Sequence, residues 1–85
     1  MSKNDGYRAI YQIFQDLNNE LGLDLNADYL ADKIFKIAQE DPDHLKFRVF
    51  KILEDINRDF NYNLDCDSLT DTLSNVARYV NAEDL

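Results

Sequence analysis

The stretch D-L-N-A-D-Y-L-A-D-K at residues 24–33 returns thirty-nine places on, as N-L-D-C-D-S-L-T-D-T at residues 63–72. Each has Asp or Asn at its first, third and fifth places, and a Leu two residues later. The same shift aligns residues 10–38 with 49–77 without a gap. Identities fall at Ile13/Ile52, Asp16/Asp55, Asn18/Asn57, Leu25/Leu64, Asp28/Asp67, Leu30/Leu69, Asp32/Asp71 and Ala38/Ala77. Conservative pairs such as Ile10/Val49, Leu17/Ile56, Ile34/Leu73 and Ile37/Val76 fill the space between them. Gapless agreement over this many positions reads as two copies of one supersecondary unit, spanning 7–40 and 42–81 of a single domain, 1–85.

Each unit reads helix–loop–helix. Ile10, Phe14, Leu17 and Leu21 recur at helical spacing, widened by Ile13, and form one apolar stripe. Val49, Leu53, Ile56 and Phe60, widened by Ile52, repeat it. The second helices carry Leu30, Ile34, Ile37 and Ala38, matched by Leu69, Leu73, Val76 and Ala77, with Val80 extending the last. Gly22 suits a left-handed stop after the first helix, and Asn61 plays that part in the second unit. Asp28 and Asp67 stand where a cap belongs. Asp41 is placed to cap the third helix, with Pro42 at its first position. The expected helices are therefore 6–21, 29–40, 42–60 and 68–81.

No helix of this kind buries its stripe alone. The expected fold is all-α, four helices in two units packed about a pseudo-twofold axis. Both Asp-rich loops then share one pole, and the linker and termini the other. The short segments L-D-L-N at 23–26 and Y-N-L-D at 62–65 alternate apolar and polar residues, as extended chain does. They place Leu25 and Leu64 to meet across the axis.

Composition bounds the function. A chain of 85 residues buries only about 60–65% of its unfolded surface. Two Gly and one Pro argue against a β-rich fold with many tight turns. One Cys allows no internal disulfide, and neither a long apolar run nor a signal-type N-terminus is present, so a cytoplasmic protein is expected. Seventeen acidic residues against nine basic leave a net charge of −8. Direct nucleic-acid or membrane binding would need the reverse balance, because phosphates are met by Lys and Arg. A basic protein surface is the expected partner.

The acids recur every fourth place: Asp16, Glu20, Asp24, Asp28, Asp32, then Asp55, Asp59, Asn63, Asp67, Asp71. Asp28, Asp32, Asp67 and Asp71 fall at helix starts, where the helix dipole stabilises them. Asp16 over Glu20, and Asp55 over Asp59, lie in last turns, where like charges repel and the dipole favours cations. Folding does not account for that half of the pattern, which points to binding. Lys3, Arg8, Lys36, Lys46, Arg48 and Lys51 are expected toward the opposite pole, with Arg58 the exception.

Two resemblances to known families bear on the loops. Asp24, Asn26, Asp28 and Asp32 match positions 1, 3, 5 and 9 of an EF-hand loop, and Asn63, Asp65, Asp67 and Asp71 repeat that spacing. Paired helix–loop–helix units are also how EF-hand domains are laid out. The loops carry Tyr29 and Ser68 where that chemistry needs Gly, and Phe35 and Ser74 where it needs a bidentate Glu. A degenerate cation binder is what this resemblance implies, and no metal or cofactor is expected. Asp67-Ser68-Leu69 resembles the Asp-Ser-Leu site of acyl carrier proteins, but only sixteen residues follow Leu69, too few for that architecture.

Catalysis finds no constellation. His44 is the sole histidine, and Cys66 aligns with Ala27 as a small apolar residue. The expected function is an adaptor or inhibitor, not an enzyme, that covers a basic surface such as that of a nuclease or nucleic-acid-binding protein. The expected contact residues are Asp16, Glu20, Asp24, Asp28, Tyr29, Phe35, Asp55, Asp59, Asp65 and Asp67. Tyr29 and Phe35 belong to this set because the second unit has Ser68 and Ser74 in their places, so packing does not demand them. A homodimer contact through the same aromatics is the alternative.

Overall fold

The structure, a computed structural model, describes the backbone of residues 3–83 and the side chains of residues 6–78. It is all-helical, with no strand among the described residues. The elements are α1 (Lys3–Leu21), α2 (Ala27–Glu40), a 3₁₀ turn (Pro42–His44), α3 (Leu45–Phe60) and α4 (Cys66–Glu83). The side chains of Lys3 and Val80 lie outside the described residues.

The apolar stripes form the core. Ile10 and Phe14 of α1, Ile34 of α2, Leu45, Val49 and Leu53 of α3 and Leu73 of α4 are fully buried. Each such side chain contributes about 1.5–3 kcal/mol through burial alone. α1 packs on α2 and α4, α3 packs on α4, and α2 meets both α3 and α4.

Each of the two first helices ends in the same way. Gly22 and Asn61 adopt positive φ, 67° and 58°. The amides of Leu23 and Tyr62 then return to the carbonyls of Asn18 and Asn57, both at 3.1 Å. This is the six-to-one hydrogen bond of a Schellman ending, with its left-handed residue where Gly or Asn is favoured.

The chain next folds back along the helix it has just left, and an asparagine holds it there. Asn18 donates through Nδ2 to the Leu25 carbonyl at 3.0 Å and accepts the Leu25 amide at 2.8 Å. Asn57 does the same for Leu64, at 3.1 and 2.9 Å. The extended segments therefore pair with side chains rather than with each other, and Leu25 and Leu64 are buried in the core. An Asn18→Leu variant leaves the Leu25 amide and carbonyl without these partners. It should lower stability by about 2 kcal/mol, near the sum of two net hydrogen bonds, read as a drop in the urea midpoint.

That fold-back changes two expectations. Leu21 and Phe60 close their apolar stripes in the sequence, yet they are 56% and 61% exposed. They are the last residues of their helices, and Leu25 and Leu64 fill the core at that end.

The caps also differ from expectation. α2 and α4 begin at Ala27 and Cys66, so the capping side chains are Asn26 and Asp65 rather than Asp28 and Asp67. Asn26 accepts the Tyr29 amide and Asp65 accepts the Ser68 amide, each at 3.2 Å. A cap must reach the amide of the third helical residue, which sets its place immediately before the helix. Asp32 and Asp71 consequently lie in second turns, paired with Lys36 at 3.3 Å and Lys46 at 3.4 Å.

Pro42 opens a 3₁₀ turn instead of α3 itself, and Asp41 makes no side-chain cap bond to it. The Asp41 carboxylate turns to the His44 ring, 2.8 Å away, and to Arg48 at 3.7 Å.

Candidate functional site

Between α2 and α3 lies a groove whose loop-side end is a largely apolar cleft. Leu25, Leu30 and Ile56 line it, with Tyr29 and Phe60 at its sides and Asp24 and Asn26 at its lip. The cleft measures about 230 Å³. Tyr29 is 57% exposed and Phe60 61%, so two aromatic faces reach solvent beside carboxylates. Helix position explains each. Tyr29 is the third residue of α2, and Phe60 is the final residue of α3, ahead of left-handed Asn61. Phe60 stacks on Tyr62, centroids 5.6 Å apart, and the Lys33 ammonium sits 5.5 Å from the Tyr29 ring centroid. Lys33 also donates to the Tyr29 hydroxyl at 3.4 Å, so the ammonium lies toward the hydroxyl end of the ring.

The groove continues past Lys33, Ile52, Asp55 and Asp59. It then runs on to Ile37, Phe47, Arg48 and Lys51. Asp55 and Asp59 share Arg58, at 3.2 and 3.4 Å. Arg58 offsets the like-charge repulsion that their spacing would otherwise cause, though exposed pairs of this kind contribute little to stability.

Of the ten contact residues read from the sequence, the fold brings Asp24, Tyr29, Asp55 and Asp59 to this groove. Asp16 and Glu20 lie exposed on α1, where Asp16 accepts from Gln12 at 2.9 Å. Asp28 is exposed and accepts the Tyr7 hydroxyl at 2.8 Å. That hydrogen bond, then burial, holds the Tyr7 hydroxyl above its ordinary pKa. Asp65 is the α4 cap, and Asp67 lines a separate groove between α3 and α4 with Lys46, Phe50 and Thr70. Asp16, Glu20, Asp24, Asp28, Asp65 and Asp67 form no ion pair among the described residues.

Phe35 does not belong to the surface at all. It is buried in the core, 9% exposed, so it cannot meet a partner or a second copy. Its aligned counterpart Ser74 is fully buried too, and its hydroxyl has no hydrogen-bond partner among the described residues. The two positions are both interior, and one large and one small side chain occupy them.

The charges are also less segregated than expected. Lys36, Lys46 and Arg48 each lie within 4 Å of a carboxylate, as does Arg58, the expected exception. The missed contributor to the site is Phe60, which helical periodicity assigns to the core. The signal that could have found it is its place directly before a residue suited to positive φ, where a helix runs out of neighbours.

The remaining reactive groups are held in quiet states. Cys66 is half-buried, with Asn57 Nδ2 at 3.3 Å from its sulfur. Burial, then the carboxylates of Glu54, Asp67 and Asp65, pushes its thiol pKa up. Iodoacetamide should therefore modify Cys66 more slowly at neutral pH in the folded protein than in urea, because only the thiolate reacts.

The hydrogen bond to Asp41 raises the His44 pKa above 6.5, and the bond to His44 lowers the Asp41 pKa below 3.8. The His44 contribution is complete below 6.5 and fades as pH rises through its folded value. The Asp41 contribution is present above 3.8 and fades as pH falls through its folded value. The pair thus stabilises most between these two ordinary values. The His44 ring resonances should titrate with a midpoint above 6.5, and Asp41→Asn should return it toward 6.5.

Among the described residues no group of three or more His, Cys, Asp or Glu is placed to hold a metal ion. No described helix is long and apolar enough to cross a membrane. Compared with protein-family models, with curated proteins and with solved structures, the chain matches none.

Proposed function

We propose that this chain is a small acidic binding module, an adaptor or inhibitor without catalytic activity, that covers a basic surface of a partner protein in the cytoplasm. A nuclease or a nucleic-acid-binding protein has a surface of the required kind. The observation that carries the reading is the cleft between Tyr29 and Phe60, with Asp24 at its lip and Asp55 and Asp59 along its continuation. An exposed aromatic pair around an apolar cleft, rimmed by charge, has the composition of an interface centre and its rim. The net charge of −8 supplies the long-range attraction, and Asp16, Glu20, Asp28, Asp65 and Asp67, in no ion pair among the described residues, spread it beyond the cleft.

The module is further proposed to be a duplicated helix–loop–helix unit with a pseudo-twofold axis. Support comes from the asparagine clamps, the left-handed residues and the caps, each recurring at the same thirty-nine-residue interval. The reading as a degenerate cation binder is weaker, because Asn26, Asp28 and Asp65 already accept hydrogen bonds from the protein.

The test is capture of partners from the native source on the immobilised protein and on an Asp24→Asn/Asp59→Asn variant. Steered binding of a basic partner should weaken in the variant and fall steeply as salt is raised. Equal recovery at low and high ionic strength would refute the proposal.

A further inference from the structure

We infer that the α2–α3 groove seats one amphipathic helix of the partner, basic at the end that lies over Asp24 and Asp59; this rests on the binding function proposed above. The three sections of the groove adjoin one another. Tyr29, Leu30, Ile56 and Phe60 line both the first and the second, and Lys33, Ile52 and Asp55 line both the second and the third. Tyr29 lies by Phe60 at one end and Ile37 by Ile52 at the other, so α2 and α3 run antiparallel along it. From Arg48 to Phe60 the α3 wall spans about 18 Å, the length of a helix of about twelve residues.

The walls select the kind of occupant. Both are helices, whose backbone groups are bonded internally, so an extended strand would find no ladder to join. A helix needs only side-chain contact, and the buried or half-buried Leu30, Ile37, Ile52 and Ile56 provide an apolar floor for it. The furrow between two antiparallel helices is a natural seat for a third.

Charge then sets its polarity. Among the described residues Asp24, at the loop-side end, forms no ion pair, while Asp59 there and Asp55 near the middle share Arg58, and Lys33 lines the middle. The far end carries Arg48 and Lys51, and Lys51 forms no ion pair among the described residues. The matching helix has Lys or Arg at one end, an acidic residue at the other, and a large apolar side chain seated between Tyr29 and Phe60. A second copy of this chain fits less well. A twofold axis across α3 would set groove against groove, with no ridge to fill either, and would join two bodies of charge −8.

The probe is a side-chain-locked helical peptide of about twelve residues, with leucines at helical spacing, lysines at one end and glutamates at the other. Its control has the same charges with the helix broken by proline. Binding is read by fluorescence anisotropy and by amide shifts of the full chain. The locked peptide should bind at least about tenfold more tightly than the control, and shift Lys33, Ile52, Asp55 and Phe60. Ile52→Glu and, separately, Phe60→Ser should each weaken it by about tenfold or more; Phe60, largely exposed, leaves the core intact if Ile52→Glu unfolds the chain.

Equal binding of the two peptides would overturn the helical seat and leave attraction by charge alone. No peptide binding, with salt-dependent capture from the source intact, would overturn the seat but not the binding function. Loss of both would overturn both. A concentration-dependent dimer with shifts along the groove would replace the partner helix with a second copy and overturn the inference.

Discussion

A Phe35→Ser variant is expected to lose about 3–5 kcal/mol of stability, a large part of what a domain this small possesses. Phe35 belongs to the buried cluster with Ala31, Ile34 and Ala38 of the same helix. Serine would remove its ring, leave a cavity that a close-packed interior only partly closes, and bury a hydroxyl in its place. Alignment makes the substitution look mild, because serine is what the second hairpin carries at the matching position, Ser74. That serine already leaves its hydroxyl without a partner among the described residues, as Thr70 does one turn earlier. Ser74→Ala should therefore be neutral or stabilising, by up to about 1 kcal/mol, because it removes an unmet polar group and little volume. Urea midpoints measure both. A Phe35→Ser protein with the parent midpoint would put Phe35 back on the surface and contradict the packing described above.

The second large effect concerns recognition. Tyr29→Ala combined with Phe60→Ser should reduce affinity for the proposed basic partner by at least about a hundredfold, roughly 3 kcal/mol. Large aromatic side chains at the centre of an interface carry much of its energy, whereas single carboxylates at the rim act mainly on association rate and salt dependence. Both rings are more than half exposed in the free chain, so the same double variant should leave the thermal midpoint nearly unchanged. The contrast between binding and stability is what gives the test its power. Asp24→Asn should instead slow association and flatten the salt dependence. If the aromatic variant binds like the parent and only the acidic variant fails, recognition is by charge and the cleft is incidental.

Legibility differed between local and long-range features. The four helices, the left-handed stops at Gly22 and Asn61 and the buried faces all follow from spacing of three to four residues and from local backbone preference. Residue type alone puts the caps two residues late, because Asp28 and Asp67 are as suitable by type as Asn26 and Asp65. Only the geometry of the third amide separates them. The clamps of Asn18 and Asn57 were visible as identities but not as contacts, since each joins residues seven apart across a reversal of the chain. Periodicity assigns Phe60 to the core and alignment assigns Phe35 to the surface, and the structure reverses both. Periodicity describes the faces of a helix and says nothing about where that helix outruns its neighbours.

The sequence by itself determined an all-helical chain of four segments, with a strong acidic excess and a repeated Asp-rich loop between paired helices. These follow from side-chain period, turn chemistry and charge count, which are properties of neighbours along the chain. The tertiary structure alone decided which parts of that loop are engaged within the protein and which stay open to solvent. It used Asn26 and Asp65 to hold helix ends, engaged Asp28 with Tyr7, buried Phe35, and left Asp24 beside Tyr29 and Phe60 at the mouth of the α2–α3 groove. Which carboxylate a fold leaves unengaged depends on packing between elements distant in the chain, and local pattern carries no record of those distances.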